Sequence, residues 1–138
     1  GGLPIGALIT GPDLADVLQP GDHGSTFAGG PLVSAAALVA LEICSEPELL
    51  DQVRTLGERL RAGLAELPGV ATVRGRGLMI GLDLVDGLSA PQIASRALLE
   101  QRLVLNATGP STLRLEPPLI VTEAEVDEAR SRLGELLR

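Results

Sequence analysis

Residues 23–30 read His-Gly-Ser-Thr-Phe-Ala-Gly-Gly and stand directly before Pro31. Ser25 and Thr26 bring hydroxyl donors, and the glycines bring backbone amides that a ligand can approach closely. Proline at the first position of a helix loses nothing by lacking an N–H. A loop of donors that opens a helix can hold an anion such as a phosphate, because the first amides of the helix point toward it unpaired. The same residues also suit a flexible turn between two buried elements, and their types leave both readings open. Arg114 is the second candidate. It alternates with Leu113 and Leu115, so in a strand it faces away from them. There it is either a solvated side chain or a fork-shaped binder of carboxylate or phosphate.

Other chemistry-bearing types are sparse. Gly75-Arg76-Gly77-Leu78-Met79-Ile80-Gly81 invites comparison with a dinucleotide fingerprint, but its glycine spacing differs and it lies between two strand candidates. These glycines read as bulge and hairpin residues, with Met79 in the core. The single cysteine, Cys44, excludes an internal disulfide framework and a multi-cysteine metal site; it reads as a small core residue. The single histidine, His23, excludes a histidine cluster, and only Asp22 stands near it. No metal site is therefore expected. All 11 basic residues are arginines, so no side-chain amine here can form a Schiff base. A net charge of -7 and a single aromatic residue, Phe27, speak against nucleic acid as a partner. No apolar run reaches the ~20 residues of a membrane span, and the expected compartment is the cytoplasm.

The elements that must position these residues follow from punctuation and period. The chain has 138 residues, the size of one domain, yet it starts at glycine and its only methionine is Met79. That suggests a piece of a longer chain. Residues 3–10 read as a short buried strand, and residues 13–18 as one or two helical turns. Residues 32–44 are apolar all round, which predicts a helix buried on nearly every side. Ser45 with Glu48, Ser89 with Gln92, and Thr122 with Glu125 each match a capping box that opens a helix. Leu49, Val53, Leu56, Leu60, Leu64 and Leu67 recur at helical spacing, as do Val126, Ala129, Leu133 and Leu136. Strand candidates are residues 70–74, 78–84, 103–105 and 112–115, with a turn at 106–110. From Ser45 the order is helix, strand, strand, helix, strand, strand, helix. That predicts an α/β (α+β) sandwich, a small sheet covered by helices, with a division near Cys44.

Three passages resemble the class III pyridoxal-phosphate aminotransferases, and within them the acetylornithine branch. Gly1-Gly2-Leu3-Pro4-Ile5-Gly6-Ala7 is similar to the family's segment after the Schiff-base lysine. His23-Gly24-Ser25-Thr26-Phe27 resembles its cofactor-phosphate loop. Arg74-Gly75-Arg76-Gly77-Leu78-Met79-Ile80-Gly81 and Leu113-Arg114-Leu115-Glu116-Pro117-Pro118-Leu119 resemble its C-terminal domain. The likeness runs in order over essentially the whole chain.

The resemblance implies a fold-type I transferase, with residues 1–44 ending the large cofactor-binding domain and residues 45–138 forming the small C-terminal domain. It implies pyridoxal 5'-phosphate as cofactor. Thr26 would bind the cofactor phosphate of the neighbouring subunit in a homodimer, Ser25 would contact the acylated substrate, and Arg114 would serve the substrate carboxylate or an ion pair. It puts the Schiff-base lysine before Gly1, so the chain would be an inactive C-terminal fragment with no catalytic residue of its own. The parent would move an amino group from N2-acetylornithine to 2-oxoglutarate in arginine biosynthesis. Ornithine, succinyl-diaminopimelate and ω-amino acids are alternative donors, and a non-enzymatic dimerisation or regulatory module is the alternative from another class. Where the family usually has asparagine before the proline, this chain has Gly30, a slightly weaker helix cap.

Overall fold

The computed structural model describes residues 2–138; Gly1, the first residue of the family-like opening segment, lies outside them. Contacts divide the chain into Gly1–Glu46 and Pro47–Arg138.

The first unit holds one 3₁₀ turn, Pro12–Leu14, and one helix, α1, Pro31–Cys44. Residues 3–10 are not a strand. They have no neighbouring strand to complete a ladder among the described residues, and the apolar run stays irregular and exposed. Residues 13–18 give only the tail of that turn. Helix α1 forms where expected, with Gly30 as its N-cap and no side-chain cap. Its burial does not follow: none of its residues is buried, and Leu32 is 76% exposed. Helix formation is decided along the chain, whereas burial needs a second element, and this unit contains none that covers it. Leu3 and Ile5 line only a shallow concavity beside Ala36, Ala37, Ala40, Leu41 and Cys44. Cys44 is accordingly exposed, and not the core residue expected.

The second unit runs α2 (Pro47–Ala65), β1 (Val70–Arg76), β2 (Met79–Leu84), α3 (Ala90–Gln101), β3 (Asn106–Ala107), β4 (Thr112–Leu115), α4 (Glu123–Leu136). This is the predicted order. The four strands form an antiparallel sheet in the order β1-β2-β4-β3. Ile80, Leu82 and Leu113 are fully buried, and Leu84 and Leu115 nearly so. Their period of two turns one sheet face onto Leu56, Leu60 and Leu64 of α2, Ile93 of α3, and Val126 and Leu133 of α4. The result is a two-layer sandwich with one core.

Several boundaries differ from expectation for local reasons. Of the three capping boxes only Thr122–Glu125 closes, with both reciprocal hydrogen bonds present. Ser45 instead ends α1, and its hydroxyl donates to the Leu41 carbonyl at 2.7 Å. Pro47 disfavours helical backbone in the residue before it, so α2 starts one residue later than the box requires. Ser89 is at an N-cap position but its ψ of 114° departs from the 162° of Thr122, and its side chain makes no cap bond. The strand expected at residues 103–105 lies at Asn106–Ala107, where β4 offers a partner to pair with. Met79 pairs with Arg76 beside the hairpin turn and is 56% exposed, so it is not a core residue. Ala71 forms a bulge between Val70 and Thr72.

The β1–β2 hairpin turns through Gly77 and Leu78, with Gly77 at φ +55°, as a two-residue turn with glycine first requires. Helix α2 passes so close that a Cβ on Gly57 would collide with the Gly77 carbonyl. Alanine is normally worth about 1 kcal/mol over glycine inside a helix. At this position overpacking against backbone costs about 1–3 kcal/mol. Gly57→Ala should therefore lower the urea unfolding midpoint; a raised midpoint would mean the helix and hairpin have room to part.

Candidate functional site

The loop of residues 23–30 is exposed at every position up to Gly29, including Ser25 and Thr26. Phe27 is 88% exposed. No backbone amide of residues 23–30 donates to another backbone carbonyl among the described residues. The loop therefore keeps its donors: two hydroxyls and a run of amides. Its far end is anchored. Ser34 donates through its amide to the Gly30 carbonyl at 3.0 Å and through its hydroxyl to the Gly29 carbonyl at 3.1 Å. At the near end the Asp22 carboxylate accepts the Gln19 amide at 2.8 Å, closing a local turn. Asp22 serves that turn and forms no ion pair with His23 among the described residues.

Arg114 lies in the second unit, on the sheet face opposite the core. Leu113 and Leu115 are buried and Arg114 is exposed, the alternation expected. Its Nε sits 3.5 Å from the Glu116 carboxylate. The pairing register puts Arg74, Gly81, Arg114 and Asn106 in one row across the four strands. Thr72, Asp83 and Thr112 form the adjacent row, and Arg76 and Met79 lie on the other side. Thr112 donates its hydroxyl to Asp83 at 2.7 Å, and Asp83 in turn accepts from Arg74. The Arg74 guanidinium is thus held over the sheet by a carboxylate that is itself held.

Sequence reasoning placed Ser25, Thr26 and Arg114 but missed Arg74 and Arg76 as neighbours of Arg114. The signal for β1 against β2 was present: with Gly77-Leu78 as a two-residue hairpin turn, Arg76 opposes Met79 and Arg74 opposes Gly81. The β2–β4 register carries no such local mark, since α3 and β3 intervene. Among the described residues no group of three metal-ligating side chains occurs, and no helix is long and apolar enough to cross a membrane.

A sequence and fold of this kind are shared with a known group. The chain belongs to the class-III aminotransferase family, whose model matches residues 1–137. It is 44% identical over 144 aligned residues to the acetylornithine aminotransferase of Thermosynechococcus vestitus, covering 99% of this chain and 34% of that protein. The N-acetylornithine aminotransferase of Stenotrophomonas maltophilia, a solved structure, superposes with a TM-score of 0.73 at 36% identity, over 79% of this chain and 31% of that one. The ornithine aminotransferase of Toxoplasma gondii, whose structure shows partial occupancy of PLP at its active site, gives a TM-score of 0.74 at 32% identity, over 91% of this chain and 30% of that one. The chain thus spans about a third of the length of these relatives.

The Asp83 carboxyl is held below the usual carboxylate range, first by the Thr112 hydroxyl and then by the Arg74 charge. An unfolded aspartate titrates at about 3.9. Since the folded value is the lower one, this contact stabilises the fold above that pH and is lost as pH falls through the folded value. Thr112→Val should move the Asp83 titration, followed by carboxyl-carbon NMR, up toward the ordinary value. An unmoved titration would leave Arg74 as the whole cause.

Proposed function

We propose that this chain is the C-terminal part of a pyridoxal-phosphate-dependent aminotransferase whose whole protein transfers the amino group of N2-acetylornithine to 2-oxoglutarate, in the cytoplasm, in arginine biosynthesis. The observation that carries the reading is the 44% identity to an acetylornithine aminotransferase along 99% of the chain. Residues 1–44 are assigned to the end of the large domain and residues 45–138 to the small one.

The loop fits the cofactor phosphate. A dianion needs several N–H and O–H donors and little burial of charge, and residues 23–30 keep both hydroxyls and their amides exposed. Thr26 would donate to the phosphate, and Ser25 to the acyl group of the substrate. When bound, the cofactor supplies an electron sink for the carbon that bears the amino group. Arg114 would hold a substrate carboxylate through its planar fork. The chain contains no lysine, so the amine that carries the cofactor would come from residues outside these 138.

A homodimer, as the resemblance implies, is one source of cover for α1, and the rest of the large domain is the other. Leu32, Leu38, Val39, Leu41 and Ile43 are all exposed, and apolar surface of that extent on a helix calls for cover. Ornithine stands as the second donor, since an ornithine aminotransferase is also similar to this chain, at 32% identity over 91% of it. Steady-state kinetics of the whole enzyme with each amine decides between them. A kcat/KM at least tenfold higher for N2-acetylornithine supports the first reading, and the reverse order overturns it.

Thr26→Ala in the whole enzyme should weaken cofactor retention. Losing a hydrogen bond to a charged group costs about 1.5–3 kcal/mol. Equilibrium titration of the apoenzyme with pyridoxal phosphate reads this directly, and unchanged affinity would remove Thr26 from the phosphate site.

A further inference from the structure

Residues 85–88 turn the chain from β2 toward α3. The ends of this connection are held: Val85 donates to the Gly69 carbonyl at 3.0 Å, and Ala90 donates to the Pro110 carbonyl at 2.8 Å. Across the turn the Leu88 amide donates to the Val85 carbonyl at 3.3 Å. Gly87 stands third in it with φ +92°, and Asp86 before it has no positive φ, which is the type II form that favours glycine at that place. The turn leaves two groups free at its tip. The Gly87 amide donates to no acceptor among the described residues. Asp83 nearby is held by Arg74 and Thr112, whereas the Asp86 carboxylate has no hydrogen bond or ion pair among the described residues.

Asp86 and Gly87 are both exposed. A Cβ built on Gly87 would meet nothing within 4 Å, so the space around the glycine is open as well. Glycine acts twice here. It supplies the positive φ, and without a side chain it leaves its own nitrogen unscreened. No other aspartate in the chain precedes a glycine. Asp51, Asp83 and Asp127 are in addition held by arginines, and Asp22 by the Gln19 amide. Asp86 alone combines a free carboxylate, a free following amide and no side chain between them.

We propose that Asp86–Gly87 is a modification site, at which the folded protein converts aspartate to isoaspartate without an enzyme. The Asp86 carboxylate takes a proton from solvent, and the Gly87 nitrogen bonds to Cγ. The bond from Cγ to the hydroxyl breaks, and that hydroxyl leaves with the amide proton as water. The product is a five-membered succinimide. Water then adds to one of the two ring carbonyls and breaks the ring C–N bond there. Opening at Cγ restores aspartate. Opening at the main-chain carbonyl leaves Gly87 joined through the former side chain, with a free carboxylate on the α-carbon. Water is the only co-reactant, and the chain as a whole gains and loses nothing. The main chain is then one atom longer inside a turn whose ends are fixed. Leu88 packs against Gly69, where a built Cβ would lie 2.8 Å from its Cδ1, with Leu137 beside it. The longer turn therefore loosens Leu88 from that contact and with it the start of α3.

The test ages the whole protein at neutral pH and physiological temperature, beside a sample kept unfolded in urea. Trypsin cuts after arginine, so Asp83 and Asp86 fall in one peptide, residues 77–96, and Asp83 is the internal control. Electron-transfer fragmentation of that peptide distinguishes isoaspartate from aspartate. Isoaspartate should rise steadily at position 86 in the folded protein, at a rate within tenfold of the unfolded sample, and not at position 83. Asp86→Glu should abolish the reaction, because the ring would need a sixth member. Asp86→Asn should speed it at least tenfold, because a neutral amide is attacked more readily than a carboxylate. No isoaspartate at position 86 in the folded protein, or a rate more than tenfold below the unfolded one, means that the turn protects the pair and overturns the site. Equal conversion at position 83, or an Asp86→Asn protein that keeps its amide through the same ageing, overturns it too.

Discussion

Leu82 and Leu113 oppose each other across β2 and β4, and both are fully buried. A strand alternates its faces strictly, so this one cross-strand pair fixes the inside and outside of the neighbouring residues. Ile80, Leu84 and Leu115 turn inward onto the helices. Gly81, Asp83, Thr112 and Arg114 turn outward together. A slip of one residue would exchange the two sets, burying two charges and exposing the leucines. The polar face of the sheet is therefore not an independent design. It is the reverse side of the hydrophobic core, and it is as ordered as that core is.

The first 46 residues obey a different balance. Their helix is built mostly of Ala, Val, Leu and Ile, which bury well but need something to bury against. Within their own unit only Leu3 and Ile5 line a concavity beside it. The second unit has a charged surface over one core, with Arg59 joining α2 to Asp127 and Glu123 of α4. Such exposed pairs are worth little individually. They mark the solvent side of α2 and α4, and α1 carries no such marks.

What could be read in advance follows the distance over which each feature is decided. The helix stripe of α2, the outward direction of Arg114 and the Thr122 cap depend on residues within a turn or two. All of them were legible. The Ser45 cap failed for an equally local reason, Pro47, which sits inside the motif and moves the helix start past it. The exposure of α1, Cys44 and Met79 was not legible, because burial is a property of neighbours far along the chain. The loop of Ser25 and Thr26 was legible as a cluster of donors, but its alternative as a plain turn was equally compatible with those residues. Arg74 was hidden for a third reason. Its meeting with Arg114 requires the β1–β2 and the β2–β4 registers at once, and the second is set only when the sheet closes.

The contact of Gly57 with Gly77 ties two backbones together with no side chain between them. Helix α2 and the tip of the first hairpin are joined in sequence by residues 66–69 and β1 alone. Their spacing along the chain is consequently locked to their spacing in space. One residue inserted between Ala65 and Val70 would still let the hairpin form. If the helix answered by rotating or sliding one position, Leu56 or Glu58 would stand where Gly57 stands, and either would collide with the Gly77 carbonyl. An extra residue in this connection therefore sets the helix and the hairpin against each other, although neither would be disturbed alone. The pair of glycines acts as a ruler on the gene, recording how many codons may separate the helix from the hairpin.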